Sequence, residues 1–327
     1  MLPFFWILMT AGFSQTYEYE VSGIQSCELV WEQENTRPFD ELIVSWNGLR
    51  PKVGKWTVWV SLIQKNEQSE YLKYAEWTPV SQRTFASSPE SSFAKTYQDT
   101  VLLKEDGKCD GFSIKLTAES GADLTQLDSL YACISSLSDY KEIYPEILEP
   151  VYLTKTPLQS QIVLDHPRHR DLCSPTSLST AINALSGEKK VDPLRFASQI
   201  HDSEFDIYGN WILNTAAVYG ELNGKYRCHV ERLADFSALH KQLMQGHPVV
   251  VSVKGKIPGA AQAYPEGHLI CVIGYGPKTK KVHCIDPAFP TNATTSVSYD
   301  LNDFLKAWGT RRNLSYLFVK KFIDTTE

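Results

Sequence analysis

Residues 171–177 read Asp-Leu-Cys-Ser-Pro-Thr-Ser, and the period of an amphipathic helix follows them. Ser174 is a suitable helix cap, and Pro175 suits the first helical position, where its missing N–H is not needed. Four apolar residues then recur at helical spacing before Gly187: Leu178, Ala181, Ile182 and Leu185. The sequence therefore predicts a helix that starts directly after Cys173.

The rest of the carboxy-terminal half shows further helical patterns and then strands. Helices are predicted near Pro193, after Asn210 and from Asp235 to Gly246. Apolar strands are predicted at residues 248–253, 268–274 and 282–286. Helices that precede strands in this way favour an α+β fold with two segregated layers.

The amino-terminal half has a different pattern, in which apolar residues alternate over short segments. Residues 42–46 form an apolar run that ends at the turn signal Asn47-Gly48. Two more segments alternate, at Trp56, Val58, Val60 and Leu62, and at Phe112, Ile114 and Leu116. Short strands without helical patterns predict an antiparallel β-sandwich domain over residues 17–136.

The tryptophans of this domain have two interpretations. Four are candidates for a binding face: Trp46, Trp56, Trp59 and Trp77. They can form an exposed face that contacts carbohydrate or cell wall, or they can fill the interior of the sandwich. The pattern of the sequence leaves both open.

The remaining segments suggest how the chain is organised. Residues 1–15 are mostly apolar and end in small residues, which predicts a signal peptide cut after Ser14. The expected location is therefore secreted or periplasmic, and a buried amino-terminal strand is the alternative for this segment. Residues 137–160 lose apolar periodicity and contain three prolines, which is typical of a linker.

The composition narrows the possible functions. A chain of 327 residues has room for two domains with proper cores. The net charge of −6 argues against a nucleic-acid partner. No stretch approaches the roughly 20 apolar residues of a membrane span. Metal-ligand motifs and phosphate-binding loops are absent from the sequence, so no cofactor is expected.

The sequence has an odd number of cysteines, which raises the question of which thiol stays free. They are Cys27, Cys109, Cys133, Cys173, Cys228, Cys271 and Cys284. Cys173 is the best candidate nucleophile, because the partial positive charge of a helix start stabilises a thiolate. The free N–H groups there can also bind the oxyanion of a tetrahedral intermediate.

Two more reactive residues flank a predicted hairpin. His268 starts one apolar strand and Asp286 ends the next. If these strands pair around the turn at residues 276–278, the two side chains face each other, and the carboxylate can orient the imidazole.

The same register makes a prediction about two cysteines. Cys271 would oppose His283, and Cys284 would oppose Ile270. The two thiols would then point to opposite faces of the sheet, so a disulfide between them is not expected.

Four ordered motifs carry a family resemblance. They are Asp-Leu-Cys-Ser-Pro-Thr-Ser (171–177), Asp-Ile-Tyr-Gly-Asn-Trp (206–211), Gly-His-Leu-Ile-Cys-Val-Ile-Gly-Tyr (267–275) and Asp-Pro-Ala (286–288). Together they resemble the C-thirty-nine-like peptidase domain, a relative of the bacteriocin-leader peptidases of the papain fold. The likeness spans about residues 161–320. It implies a papain-like cysteine peptidase domain, which we place at 161–323, with Cys173 as nucleophile, His268 as base and Asp286 as orienting acid.

The amino-terminal region resembles, more loosely, the strand-rich segment that precedes this domain in exported bacterial members. That resemblance depends on Leu-Ile-Val-Ser-Trp-Asn (42–47) and on Gln98-Asp99.

One position departs from the family pattern. Papain-fold enzymes place an oxyanion-hole glutamine shortly before the nucleophile, where this sequence has Pro167. Gln161 is the nearest candidate, and a linker residue without a catalytic part is the alternative. His166 and His169 lie between Gln161 and Cys173 and are expected to be solvated.

Four residues are candidates for lining the substrate cleft: Asp206, Tyr208, Asn210 and Trp211. Asn210 has an equally good alternative as a plain helix cap.

The expected function is hydrolysis of amide bonds in a peptide or protein through a thioester acyl-enzyme. Transamidation or cell-wall amide cleavage on the same triad is one alternative. A non-catalytic protein that binds glycan or cell wall is the other.

Overall fold

The computed structural model describes residues 6–8, 12–21, 24, 26–88, 91–145, 148–187 and 190–321, with the backbone alone described at 6–8. The amino-terminal half contains strands β1 (Trp6–Leu8), β2 (Ser14–Glu20), β3 (Glu28–Gln33), β4 (Glu41–Gly48), β5 (Lys55–Gln64), β6 (Glu67–Gln68), β7 (Leu72–Trp77), β8 (Gln82–Thr84), β9 (Ala94–Tyr97), β10 (Thr100–Leu103), β11 (Gly111–Glu119) and β12 (Leu127–Ser135).

The carboxy-terminal half mixes helices and strands. Its helices are α1 (Cys173–Ser186), α2 (Pro193–Ile200), α3 (Trp211–Glu221), α4 (Phe236–Met244) and α5 (Leu301–Gly309). Its strands are β13 (Val151–Tyr152), β14 (Tyr226–Arg232), β15 (Val249–Gly255), β16 (Tyr264–Gly276), β17 (Lys281–Ile285), β18 (Ser296–Asp300) and β19 (Leu314–Lys320). The protein is therefore an α+β protein, as predicted.

The strands of the amino-terminal half form two antiparallel sheets. One has the order β1-β2-β12-β4-β10-β9, and the other has the order β3-β11-β5-β7-β8 with β6 beside β5. Side chains of the two sheets meet in one core, where the rings of Trp46 and Trp77 have centroids 6.0 Å apart. The alternating apolar residues of β5 and β11 are buried in that core, which confirms the predicted strands.

The predicted turn at Asn47-Gly48 is wrong, because β4 continues through Gly48. Asn47 is buried, and its Oδ1 accepts a hydrogen bond from the N–H of Cys228 at 2.7 Å. Gly48 allows a close approach between chain segments, since a Cβ there would lie 2.6 Å from the carbonyl oxygen of Gln126. Asn-Gly often forms tight turns, but in this protein the dipeptide lies in a strand and serves packing.

The third sheet has the order β14-β19-β15-β16-β17-β18, with β13 beside β16. One face of this third sheet shares a core with α1, α3 and the first sheet of the amino-terminal half. Helices α4 and α5 pack in a second core. Strand β14 thus interrupts the predicted succession of helices and strands, and α5 follows the strands. The predicted order of the carboxy-terminal half, with helices first and strands afterwards, is therefore only partly correct.

Strand β14 joins the two halves of the chain through buried charges. Arg232 forms an ion pair with Glu41 of β4, and both side chains are buried. Arg227 pairs with Glu18 and with Asp128 of the amino-terminal half. Because these partners come from distant parts of the chain, the sequence alone did not show that the charged residues of β14 are buried.

Two segments with predicted special roles also have structure. Strand β13, inside the predicted linker, pairs with β16. Strand β1 pairs with β2, with Trp6 opposite Glu18, and Ser14 is buried with its hydroxyl hydrogen bonded to the carbonyl of Arg232. Residues 1–5 and 9–11 of the predicted signal peptide lie outside the described residues. The signal peptide and the domain boundaries stay predictions.

Candidate active site

Cys173 occupies the first position of α1, so the helix begins two residues earlier than the sequence predicted, which placed its first position at Pro175. The preceding Leu172 takes the cap position without a side-chain cap bond, so Ser174 is not the cap. The hydroxyl of Ser177, one turn later, donates to the carbonyl of Leu269 at 2.9 Å. This bond docks the start of α1 on β16, so the thiol lies beside the strand that carries His268.

His268 connects the thiol to Asp286. Nε2 of His268 lies 2.8 Å from Oδ1 of Asp286, and the same imidazole interacts with the thiol of Cys173 and lowers its pKa. Because Nε2 contacts the carboxylate, Nδ1 is the ring nitrogen left for interaction with the thiol. The structure thus brings the three side chains together, while their roles as nucleophile, base and orienting acid stay a prediction.

The electrostatics of the three groups favour a charged thiol–imidazole pair. Burial alone would raise the pKa of the Cys173 thiol, but the hydrogen bond and charge of His268 outweigh burial and lower it. Burial would lower the pKa of His268, yet the charge and hydrogen bond of Asp286 raise it to about 10. The charge of His268 in turn holds the pKa of buried Asp286 below its ordinary value. Each charge stabilises its neighbour.

The predicted register of the hairpin is wrong. Cys271 pairs with Ile285 instead of His283, and Cys284 pairs with Val272. The turn occupies residues 277–280, later than expected, and a bulge in β16 shifts the pairing again. The two cysteines still belong to adjacent pairs, so they alternate between faces, and both are free thiols.

Asp286 therefore reaches His268 by a route that the sequence did not show. Pairing of β17 ends at Ile285, and the backbone N–H of Asp286 donates to the carbonyl of Thr295 at 2.9 Å. Oδ1 of Asp286 also accepts the N–H of Ala288 at 2.9 Å. The carboxylate thus caps the following turn and contacts the imidazole at once, which combines the two roles considered from sequence.

Two tyrosines in the site were missed from the sequence. The hydroxyls of Tyr264 and Tyr299 donate to Oδ2 of Asp286 at 2.7 and 2.6 Å. Tyr264 lies four residues before His268, and alternation along a regular strand would have placed both on one face. Tyr299 lies in β18, for which no strand was predicted, so it gave no signal.

A second polar network lies under the start of α1. The hydroxyl of Ser174 donates to Oδ1 of Asn214 at 2.9 Å and lies 3.2 Å from the hydroxyl of Tyr316. All three residues are buried. This network fixes the residue next to Cys173 against α3 and β19.

Gln161 lies close to the same region. Its backbone N–H donates to the carbonyl of Pro287 at 2.9 Å, and its side-chain amide donates to the carbonyls of His169 and Arg170 at 3.1 and 2.7 Å. Both amide N–H groups are thus engaged with the chain just before Cys173. Its predicted place in the oxyanion hole stays a prediction that requires this amide to turn.

The predicted cleft residues have different surroundings. The buried side chain of Asn210 caps α3 by accepting the N–H of Leu213, which is the alternative considered from sequence. Exposed Asp206 accepts hydrogen bonds from Arg168 and His201 at 2.7 and 2.8 Å.

The two aromatic candidates lie beside these residues. Arg168 also lies over the ring of Tyr208, and Trp211 is partly buried beneath Arg232. Contact of Asp206, Tyr208 or Trp211 with substrate stays a prediction.

Within the described ranges, no group of His, Cys, Asp and Glu side chains has the arrangement of a metal site. The same part of the chain has no helix of the length and apolarity needed to cross a membrane. Burial raises the pKa of several other cysteine thiols, including Cys271, Cys228 and Cys284, which opposes thiolate formation there.

Comparison with known proteins identifies the family of this chain. The model of the Peptidase_C39 like family matches residues 153–316, half of the chain, and the match includes Cys173, His268 and Asp286. Comparison with curated proteins gives no significant match.

Among solved structures, the protein is similar to xylellain, a cysteine protease from Xylella fastidiosa, at 12% identity over 58% of this chain and 94% of that chain. The TM-score of 0.36 is too low to support an argument about the fold. The family match alone decides the assignment: this chain belongs to the Peptidase_C39 like family and is a cysteine peptidase.

Proposed function

We propose that Cys173, His268 and Asp286 are a catalytic triad that hydrolyses amide bonds in a peptide or protein substrate. The observation that carries the proposal is the hydrogen bond between buried His268 and buried Asp286, with His268 interacting in turn with the thiol of Cys173 at the start of α1. A cysteine at a helix start with a lowered pKa is a suitable nucleophile, and a buried imidazole held by a carboxylate is a suitable base.

The chemistry begins from the thiolate of Cys173 and the imidazolium of His268. Sγ attacks the carbonyl carbon, and the carbonyl oxygen becomes an oxyanion. The N–H of Cys173 lies at the first position of α1, where it has no acceptor in a preceding turn, and we assign it to the oxyanion.

Collapse of the intermediate breaks the C–N bond while Nδ1 of His268 gives its proton to the leaving amine. The acyl group remains on Cys173 as a thioester. Neutral His268 then removes a proton from water, which attacks the thioester and releases the carboxylic acid. Asp286 stabilises the imidazolium whenever it forms, and it holds the ring with Nδ1 towards Cys173.

We also infer that the amino-terminal half is an antiparallel β-sandwich. Support comes from its two antiparallel sheets, because aromatic side chains from both sheets, such as Trp46 and Trp77, meet in one core. Three of its four candidate tryptophans are buried, so a carbohydrate-binding face could use only Trp59 of that set. Export through a signal peptide at residues 1–15 remains part of the proposal.

The test is hydrolysis of a proteome-derived peptide pool, with new amino termini read by mass spectrometry. Wild-type protein should generate them and Cys173→Ala should not. Cys271→Ala, at a buried thiol away from the triad, is the matched control and should retain hydrolysis. New termini at wild-type level with Cys173→Ala would overturn the proposal.

Parallel reactions, one with a primary amine added to the peptide pool and one with peptidoglycan as substrate, separate the alternative functions. A transamidase would attach an added primary amine to the acyl product. A wall amidase would release fragments from peptidoglycan but none from the peptide pool. A binding protein would produce neither.

A further inference from the structure

The carboxylate of Asp286 is held from two sides. Its Oδ1 contacts His268, while Oδ2 accepts hydrogen bonds from the hydroxyls of Tyr264 and Tyr299 at 2.7 and 2.6 Å. A carboxylate oxygen that accepts two hydroxyl donors has little freedom to rotate. The plane of Asp286 is therefore fixed by groups outside the triad.

The two tyrosines come from different strands. Tyr264 opens β16, the strand that carries His268, whereas Tyr299 lies in β18. Asp286 follows β17, which lies between those two strands in the sheet. All four side chains are buried, so the hydroxyls replace the water that would otherwise solvate the carboxylate.

Tyr264 also contacts the imidazole directly. Its ring stacks on that of His268, with centroids 4.1 Å apart and planes inclined by 17°. The stack covers one face of the imidazole and limits rotation of the ring. One residue thus contacts both the base and the group that orients it.

The charges around the carboxylate are consistent with this role. The titratable groups that face Asp286 are His268, Tyr264, Tyr299 and the buried thiol of Cys284. Burial raises the pKa of both tyrosines, and the charge of Asp286 raises it further, so the hydroxyls stay protonated as donors. Burial would raise the pKa of Asp286, but His268 and the two hydroxyls lower it.

We propose that Tyr264 and Tyr299 are positioning residues of the triad, which keep Asp286 ionised and aimed at His268 and thereby keep the Cys173–His268 pair reactive. This role depends on the proposed triad. Neither tyrosine takes part in bond making. Their effect reaches the substrate through the carboxylate and the imidazole.

Loss of either hydroxyl has a defined consequence. With one donor fewer on Oδ2, buried Asp286 is less stable as an anion and stabilises the imidazolium less. The thiolate of Cys173 then loses part of its counter-charge, so a higher pH is needed to form it. Removal of a merely structural hydrogen bond would lower stability without this change.

The experiment is the pH dependence of Cys173 alkylation by iodoacetamide in the full chain, which requires no substrate. Peptide mapping resolves Cys173 from the exposed thiol of Cys27, an internal reference in the same sample. In Tyr264→Phe and Tyr299→Phe, the rise in the Cys173 rate should move to higher pH by about 0.5–1 unit, and further in the double variant.

Tyr275→Phe is the matched control, because Tyr275 is a buried tyrosine at the other end of β16, where its ring packs on Phe236. Its Cys173 profile should match that of wild type. Unfolding midpoints measured on the same samples separate positioning from stability.

Three outcomes are informative. A shifted profile in the tyrosine variants but not in the control supports the inference. Wild-type profiles in both tyrosine variants, even with lowered midpoints, would overturn it and leave the triad intact. If wild-type Cys173 shows no enhanced reactivity over Cys27, the proposed triad itself fails, and the inference fails with it.

Discussion

Nε2 of His268 and Oδ1 of Asp286 lie 2.8 Å apart, although the two residues are not paired across the hairpin. Asp286 lies just beyond the last paired residue of β17, and its backbone is held by Thr295. The contact therefore depends on the local path of the chain after the strand and not on strand register alone.

Replacement of Asp286 with Asn should slow catalysis while the fold is preserved. The amide oxygen can still accept from His268 and Ala288, and the amide nitrogen can donate to the tyrosine oxygens. Its missing charge weakens the imidazolium, so kcat should fall by roughly 10- to 1,000-fold, less than in Cys173→Ala. Steady-state kinetics and an unfolding midpoint on one preparation check this. An unchanged kcat beside a lowered midpoint would reduce Asp286 to a turn cap.

Asp99 predicts a pH dependence of stability. This buried carboxyl of the amino-terminal half accepts the N–H of Trp211 at the start of α3. Burial raises its pKa from 3.8 to about 7. Between those pH values the folded state keeps a proton that the unfolded state has lost, so stability falls as pH rises, by about 1.4 kcal/mol per unit from this group.

Asp99→Asn has no proton to lose and should lack this slope. Relative to wild type, its free energy of unfolding should rise from about pH 4 to about pH 7 and then level off. Urea unfolding at several pH values measures the difference. Parallel curves for the two proteins would show that Asp99 ionises in the folded state as it does in the unfolded chain.

The Arg232–Glu41 pair predicts strong coupling between the two halves. Arg232 donates through Nε and Nη2 to both oxygens of Glu41, and both residues are buried. Glu41→Gln leaves the guanidinium without its counter-charge and should cost about 3–5 kcal/mol.

A double variant, Glu41→Leu with Arg232→Met, removes both charges and should lose less than Glu41→Gln alone. Urea unfolding decides between these values. A loss below about 1 kcal/mol in Glu41→Gln would mean that the pair contributes as little as an exposed one.

Cys271 and Cys284 should remain unlinked even under oxidising conditions. Their side chains point to opposite faces of the sheet that β16 and β17 form, whereas a disulfide requires side chains that approach each other. Peptide mapping of unreduced protein checks this. A Cys271–Cys284 crosslink would require a different strand register.

The sequence was sufficient for features that depend on local patterns. The helix after Cys173, the apolar alternation of β5 and β11, and the alternation of Cys271 and Cys284 all follow from spacing. The contact between the side chains of His268 and Asp286 was also predicted, but from a strand register that the structure contradicts. A longer turn and a bulge changed the register, and neither has a clear signature in residue type.

Features created by distant contacts could not be predicted. Strand β14 is buried with charged residues because Glu18, Glu41 and Asp128 neutralise them from the other half of the chain. Tyr299 joins the site only because β18 pairs with β17. Such contacts depend on the arrangement of the sheets, which the order of residues does not reveal.

The most direct test of the catalytic centre is the alkylation rate of Cys173 in wild type and in His268→Gln. At about pH 5.5 wild-type Cys173 should react at least roughly 10-fold faster than Cys27, since a paired thiolate persists where an ordinary thiol is protonated. His268→Gln should abolish that advantage. Equal rates for Cys173 and Cys27 at every pH, or an advantage that persists without His268, would contradict a Cys173–His268 catalytic pair.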